Sequence, residues 1–237
     1  MRTGFVGAAF LACLMLGQPA LAQRCEHSRD ISLTIDATGL SLAIIVAEAG
    51  ELVIEGGDRD QIVIDGRACA SDASRLEKMS VETNAGDNRI SIETEIPDGW
   101  SWTGSRYAYI DLHIHLPTSM AIRVDDGSGN VVIRDVASVD LEDGSGNIEI
   151  SGIVGDVSID DGSGHMDLES IGGEVWVNDG SGNIDIDGVR GSVMVHSDGS
   201  GGIWVASVGG DFTVQDDGSG GIRHRDVAGE VKIPKQR

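Results

Sequence analysis

From Ala121 to Val231, apolar and polar residues alternate in short runs that recur every 17 to 19 residues. One run supplies the pairs Ile122/Val124, Val139/Leu141, Val157/Ile159, Val175/Val177, Val193/Val195 and Phe212/Val214. A second supplies Val131/Ile133, Ile148/Ile150, Met166/Leu168, Ile184/Ile186 and Ile203/Val205, with Ile222 followed by His224 in the last copy. Period-2 alternation in β-branched residues predicts strands with one buried face. Between the two runs lies a corner, DDGSGN from Asp125 in its first form, whose shared Asp recurs at 126, 143, 161, 179, 198 and 217. Beyond the second run stands a lone apolar residue: Val136, Ile153, Ile171, Val189, Val208 or Val227. A Gly follows two residues later in five of the six copies.

Each repeat therefore reads as strand, tight corner, strand, apolar kink and Gly turn. Its inward side chains, at about 2 kcal/mol each, supply roughly 10 kcal/mol of burial. Ordering about eighteen residues at about 1–2 kcal/mol apiece costs more. A single repeat cannot stand alone, and copies must stack to share one core. The expected fold is all-β, a single-stranded parallel β-helix (β-solenoid) with one repeat per coil. An antiparallel meander of hairpins is the alternative, but it has no need of a kink residue held in register. Length variation falls in the connections, where His196-Ser197, Gln215-Asp216 and the early Ser138 alter the spacing. Strand spacing stays constant, as expected if the strands are buried and the corners solvated.

The rest of the chain is less regular. Residues 1–22 have a charged start at Arg2, an apolar run and a small-residue exit, and read as a secretory signal. Residues 23–120 are expected to form irregular N-terminal coils and a cap, and 121–237 the regular solenoid with its C-terminal cap. The segments ISLTI, LSLAIIV, ELVIE and QIVID look like further strands, with worn corners at Ala49–Leu52 and Asn84–Asp87. A separate small N-terminal domain is the alternative. Ser71-Asp72 is placed to cap one helical turn. Pro97 to Tyr109 breaks the pattern and gathers Trp100, Trp102, Tyr107 and Tyr109.

Charge narrows the partners. A net charge of −22 argues against nucleic acid and anionic membrane. No membrane insertion is expected once the signal is removed, and the oligomeric state is not readable. Cys13 leaves with the signal, so Cys25 and Cys69 are expected to form one disulfide in an exported chain.

Candidates for chemistry are few. The Asp column is expected to accept backbone N–H bonds inside its own Gly-rich turns, exposed to water. The alternative is calcium bound along the column; no other cofactor is expected. Asp111, His113 and His115 alternate on one strand face and form a candidate half of a metal site. Trp176, Met194 and Trp204 fall at outward strand positions and form a candidate surface for a glycan or envelope-protein partner. His224 is read as a less buried terminal rung. The sequence lacks a nucleophile elbow, a His-Glu-x-x-His motif and a Walker loop. No catalytic residue is assigned.

The repeated V-x-V/I-x-DGSGN-I-x-I-x-x-V/I-x-G units, the signal and the worn N-terminal strands together resemble the DUF4097 "putative adhesin" family of bacterial exported β-helix proteins. The resemblance spans residues 30–233 and is strongest from Ala121 to Val231. It implies an adhesin-like binding or structural role in the cell envelope, periplasmic or extracellular, and carries no catalytic residues. A polysaccharide-acting enzyme using surface carboxylates is the alternative function.

Overall fold

The computed structural model describes residues 25–97 and 106–234. The signal-like segment, Trp100, Trp102 and the basic tail lie outside them. Ahead of the repeats come β1 (His27–Asp36), β2 (Leu42–Ala47), β3 (Leu52–Gly57), β4 (Gln61–Ala70), the one-turn helix α1 (Ala73–Leu76), β5 (Ser80–Gly86), β6 (Arg89–Glu95) and β7 (Ala108–Pro117). The repeats give β8 (Ala121–Asp126) and β9 (Val131–Arg134), β10 (Ser138–Asp143) and β11 (Ile148–Ser151), β12 (Val157–Asp161) and β13 (Gly164–Ile171). They continue as β14 (Val175–Asp179) and β15 (Gly182–Val189), β16 (Val193–Asp198) and β17 (Gly201–Val208), β18 (Phe212–Asp217) and β19 (Gly220–Val227), and end on β20 (Val231–Lys232).

These strands make two ten-stranded sheets, β1-β4-β7-β3-β9-β11-β13-β15-β17-β19 and β20-β18-β16-β14-β12-β10-β8-β2-β6-β5. Successive repeats pair in parallel and in register, with Val157 opposite both Val139 and Val175. The chain is a β-solenoid, and the antiparallel meander is excluded for the repeats. The alternating apolar residues of both sheets face a common interior and are almost wholly buried.

Two backbone devices turn each coil. At the corner, Gly129, Gly146, Gly164, Gly182, Gly201 and Gly220 share φ between +144° and +158°. A Cβ on Gly182 would lie 1.5 Å from the Gly164 carbonyl oxygen, so only glycine lets the corners stack. The corners are themselves bonded coil to coil, as where Gly146 N–H donates to Ser163 O at 3.0 Å. At the end of the second strand, just past β9 and β11 and at the penultimate residue of β13, β15, β17 and β19, Asp135, Gly152, Ser170, Gly188, Ser207 and Asp226 occupy the left-handed region. That reversal turns the next residue inward, and Val136, Ile153, Ile171, Val189 and Val208 are buried. The extra residue before Asp198 is a bulge opposite Val177/Asn178, matched in the next coil.

In the N-terminal part the four expected segments are strands, but they do not all continue the coils. ISLTI and QIVID are not coils, because β1, β4 and β7 pair antiparallel. Asn84–Asp87 is the end of an antiparallel β5–β6 hairpin rather than a solenoid corner, with Asp87 at φ +57°. β2 and β3 do form a coil, whose Gly50 N–H donates to Ser128 O at 3.1 Å. That coil lies between β8/β9 on one side and β6/β7 on the other, in parallel with both. Asp72 caps α1, its carboxylate accepting the Arg75 N–H at 3.0 Å. Cys25 and Cys69 are bonded, tying the start of the chain to β4.

Candidate functional site

The shared Asp residues stack in one register line, Asp126 beside Asp143, then Asp161, Asp179, Asp198 and Asp217. They are not exposed as expected. Each of the first four continues the inward alternation of its strand, as in Ile122, Val124, Asp126, while Asp198 is brought inward by the bulge. Asp126, Asp143, Asp161, Asp179 and Asp198 are all buried, none more than 5% exposed. The turn role is partly realised, since Asp161 and Asp179 accept the N–H of Ser163 and Ser181 through Oδ1. Their second oxygens, and both oxygens of Asp126, Asp143 and Asp198, lack a hydrogen-bond partner as bare carboxylates.

Two adjacent charges at a rung spacing of ~4.8 Å would repel by about 3 kcal/mol at an effective dielectric of ~20. Burial, then the neighbouring Asp143, pushes the Asp126 carboxyl up to about 7. Burial with Asp143 and Asp179 pushes Asp161 up to about 7, and burial with Asp179 and Asp217 pushes Asp198 up to about 6. Burial also raises Asp143, where a hydrogen bond from the Asp126 carboxyl opposes it most, and Asp179, where the Ser181 and Gly180 N–H groups do. A proton on Asp126 or Asp161 lets it donate to the Asp143 carboxylate between them. Protonation thus supplies the missing donors, and the column favours the neutral or half-ionised state.

On the outer walls, Trp176 sits next to Met194, with Ser158 on its other side in register. Trp176 is 38% exposed, whereas Val175 and Val177 beside it in sequence are buried. Met194 is partly covered by Gln215, whose Nε2 lies 3.5 Å from the sulfur. Trp204 is on the other sheet, between Asp185 and Arg223, with the Arg225 guanidinium 5.3 Å from its ring. The three expected surface residues therefore divide between two walls: Trp176 and Met194 together, Trp204 apart. His224 lies on the exposed last coil opposite Val205, its ring 6.0 Å from Phe212.

A third cluster lies where β7 meets β3. His113 and His115 share the outer face of β7, with ring centroids 4.0 Å apart. Glu55 on β3 lies opposite His115, and its Oε2 is 3.2 Å from His113 Nε2 and 3.6 Å from His115 Nδ1. Asp111 is not part of this group, since its Oδ1 accepts the Glu51 N–H at 2.9 Å. Glu55 was not legible from sequence, standing 58 residues before His113. Burial, then the neighbouring His113 and Arg59, lowers the affinity of His115 for a proton. Among the described residues this is the one group of three potential metal ligands with atoms within 4.8 Å of one another.

No family model and no curated protein matches the chain, so the resemblance to DUF4097 rests on its repeat and strand pattern. Solved structures similar to it include a "putative cell adhesion protein" from Clostridium sporogenes, at 10% identity and TM-score 0.32, covering 87% of this chain and 99% of the other. Another is a "putative adhesin" from Bacteroides fragilis, at 13% identity and TM-score 0.40, covering 87% and 97%. A third is a "putative lipid binding protein" from Parabacteroides distasonis, at 15% identity and TM-score 0.44, covering 85% and 96%. No helix among the described residues is long and apolar enough to cross a membrane.

Proposed function

We propose that the protein is an exported, non-catalytic β-solenoid of the bacterial envelope that binds a glycan or protein partner on its outer wall. The single observation that carries this reading is Trp176. Its alternation neighbours already fill the interior, so the indole lies outside the core, beside Met194 on a regular sheet face. An exposed aromatic face on a flat wall suits stacking on a sugar ring or anchoring a partner. The Cys25–Cys69 bond fits an oxidising compartment.

Trp176→Ala should leave stability within about 0.5 kcal/mol, as for an ordinary surface change. The same variant should weaken partner binding by more than about 1 kcal/mol. A glycan array with the mature protein and this variant tests both the surface and the ligand class. A stable variant that keeps full binding refutes the site. Release of reducing ends from a bound polysaccharide would point instead to the enzyme reading.

A further inference from the structure

We propose that Glu55, His113 and His115 form a binding site for a divalent transition-metal ion of the zinc class. The proposal stands apart from the Trp176 reading, on a different wall and different residues. Zinc bound by imidazole nitrogen and carboxylate oxygen at about 2.0–2.1 Å in a tetrahedron sets its ligand atoms ~3.3 Å apart. The Glu55 Oε2 atom stands 3.2 Å from His113 Nε2 and 3.6 Å from His115 Nδ1, on either side of that edge length. Two edges of the triangle thus match the spacing a metal requires, and the two imidazole nitrogens lie within 4.8 Å of each other.

The frame around them is built for the task. The two histidines come from alternate positions of one strand, and the carboxylate comes from the parallel neighbour, all in ladder register. Arg134 approaches the other oxygen of Glu55, its Nη1 3.6 Å from Oε1, which leaves Oε2 turned to the imidazoles. Outer groups that fix a ligating carboxylate in this way belong to the usual anatomy of metal sites. His115 Nδ1 is buried and has no hydrogen-bond partner. Arg59 and Arg134 add positive charge nearby, while Asp65, opposite His113 on β4, adds negative charge. His113, His115 and Glu55 are 43%, 25% and 36% exposed, so an ion can enter and its fourth position stays open to water.

The test is equilibrium dialysis and calorimetry of Zn2+ with the full mature chain, first stripped by chelator. One zinc ion per chain is expected, weakened at least tenfold by His115→Ala, by His113→Ala and by Glu55→Gln. Asp111→Ala should leave binding unchanged. Circular dichroism of each variant without metal checks folding, and Co2+ in place of zinc should give the visible absorption of a four-coordinate ion. Absence of stoichiometric zinc, undiminished binding in the His113→Ala/His115→Ala double variant, or a purely six-coordinate cobalt spectrum would each overturn the proposal.

Discussion

The regular coils and the N-terminal end use one core but different ways of closing it. In the coils, the chain always runs forward, so every junction repeats the same corner glycine, the same left-handed kink and the same inward Asp. At the N-terminal end, β1, β4 and β7 alternate in direction, and β5 and β6 form a hairpin. Hairpin ends need no stacked corner, so the glycine ladder stops at Gly50. The Asp line stops there too, because Ala47 stands opposite Asp126. Strict repetition makes each position in the coils depend on its copies above and below. The end piece instead adds one covalent bond to its antiparallel ladders.

Glycine substitutions should separate the two regions most sharply. Gly182→Ala would set a methyl on the Gly164 carbonyl at a positive φ. It should cost about 4 kcal/mol or more, or prevent folding. Gly86→Ala, in the hairpin, meets nothing within 4 Å and should change stability by less than about 0.5 kcal/mol. Equal losses in denaturant titrations would erase the distinction.

Reduction of Cys25–Cys69 should act on the other region. With 44 residues in the loop, the bond contributes about 3–4 kcal/mol by restricting the unfolded chain. Hydrogen exchange after reduction should speed up in β1 and β4 and leave β12 to β17 protected. Uniform loss of protection would mean that the two regions unfold as one.

A smaller effect follows from acidity. The folded pKa values of Asp126, Asp161 and Asp198 lie above the ordinary carboxyl value of 3.8, so the folded chain binds more protons than the unfolded one in between. Stability should therefore fall as pH rises from about 4 to about 7, then level off. Tm at pH 5 should exceed that at pH 8 by several degrees. Asp161→Asn, whose amide can donate to Asp143 without titrating, should raise stability at pH 8 by about 2 kcal/mol and flatten the slope. A Tm that rises with pH would contradict the buried column.

The smallest effect concerns the kink. Ser170 holds φ +59° where two other coils have glycine. Ser170→Gly should stabilise by about 0.5–1 kcal/mol, relief of left-handed strain exceeding the added chain entropy. Thermal unfolding checks the sign.

The coils were legible because burial on one strand face writes an alternation that survives in any order of pairing. Direction does not survive in the same way. ISLTI and QIVID carry the same period whether their neighbours run with them or against them, so the antiparallel pairs were hidden. The inward place of Asp126 is hard to read from sequence for a physical reason as well. Its spacing after Ile122 and Val124 puts it inside, but an ionised carboxylate is costly there, so charge and period point to opposite faces. The His113–His115 pair was visible, whereas Glu55 joins it only through the β3–β7 pairing. Trp100 and Trp102 lie outside the described residues.

The in-register Asp line also bears on how such a chain can lengthen. Duplication of one coil inserts a segment whose glycine corner and kink already match both neighbours, so growth by tandem copying meets no steric obstacle. Each new copy, however, inserts another carboxyl between two others. The longer the array becomes, the more protons it must take up to fold, and copy number and preferred acidity rise together.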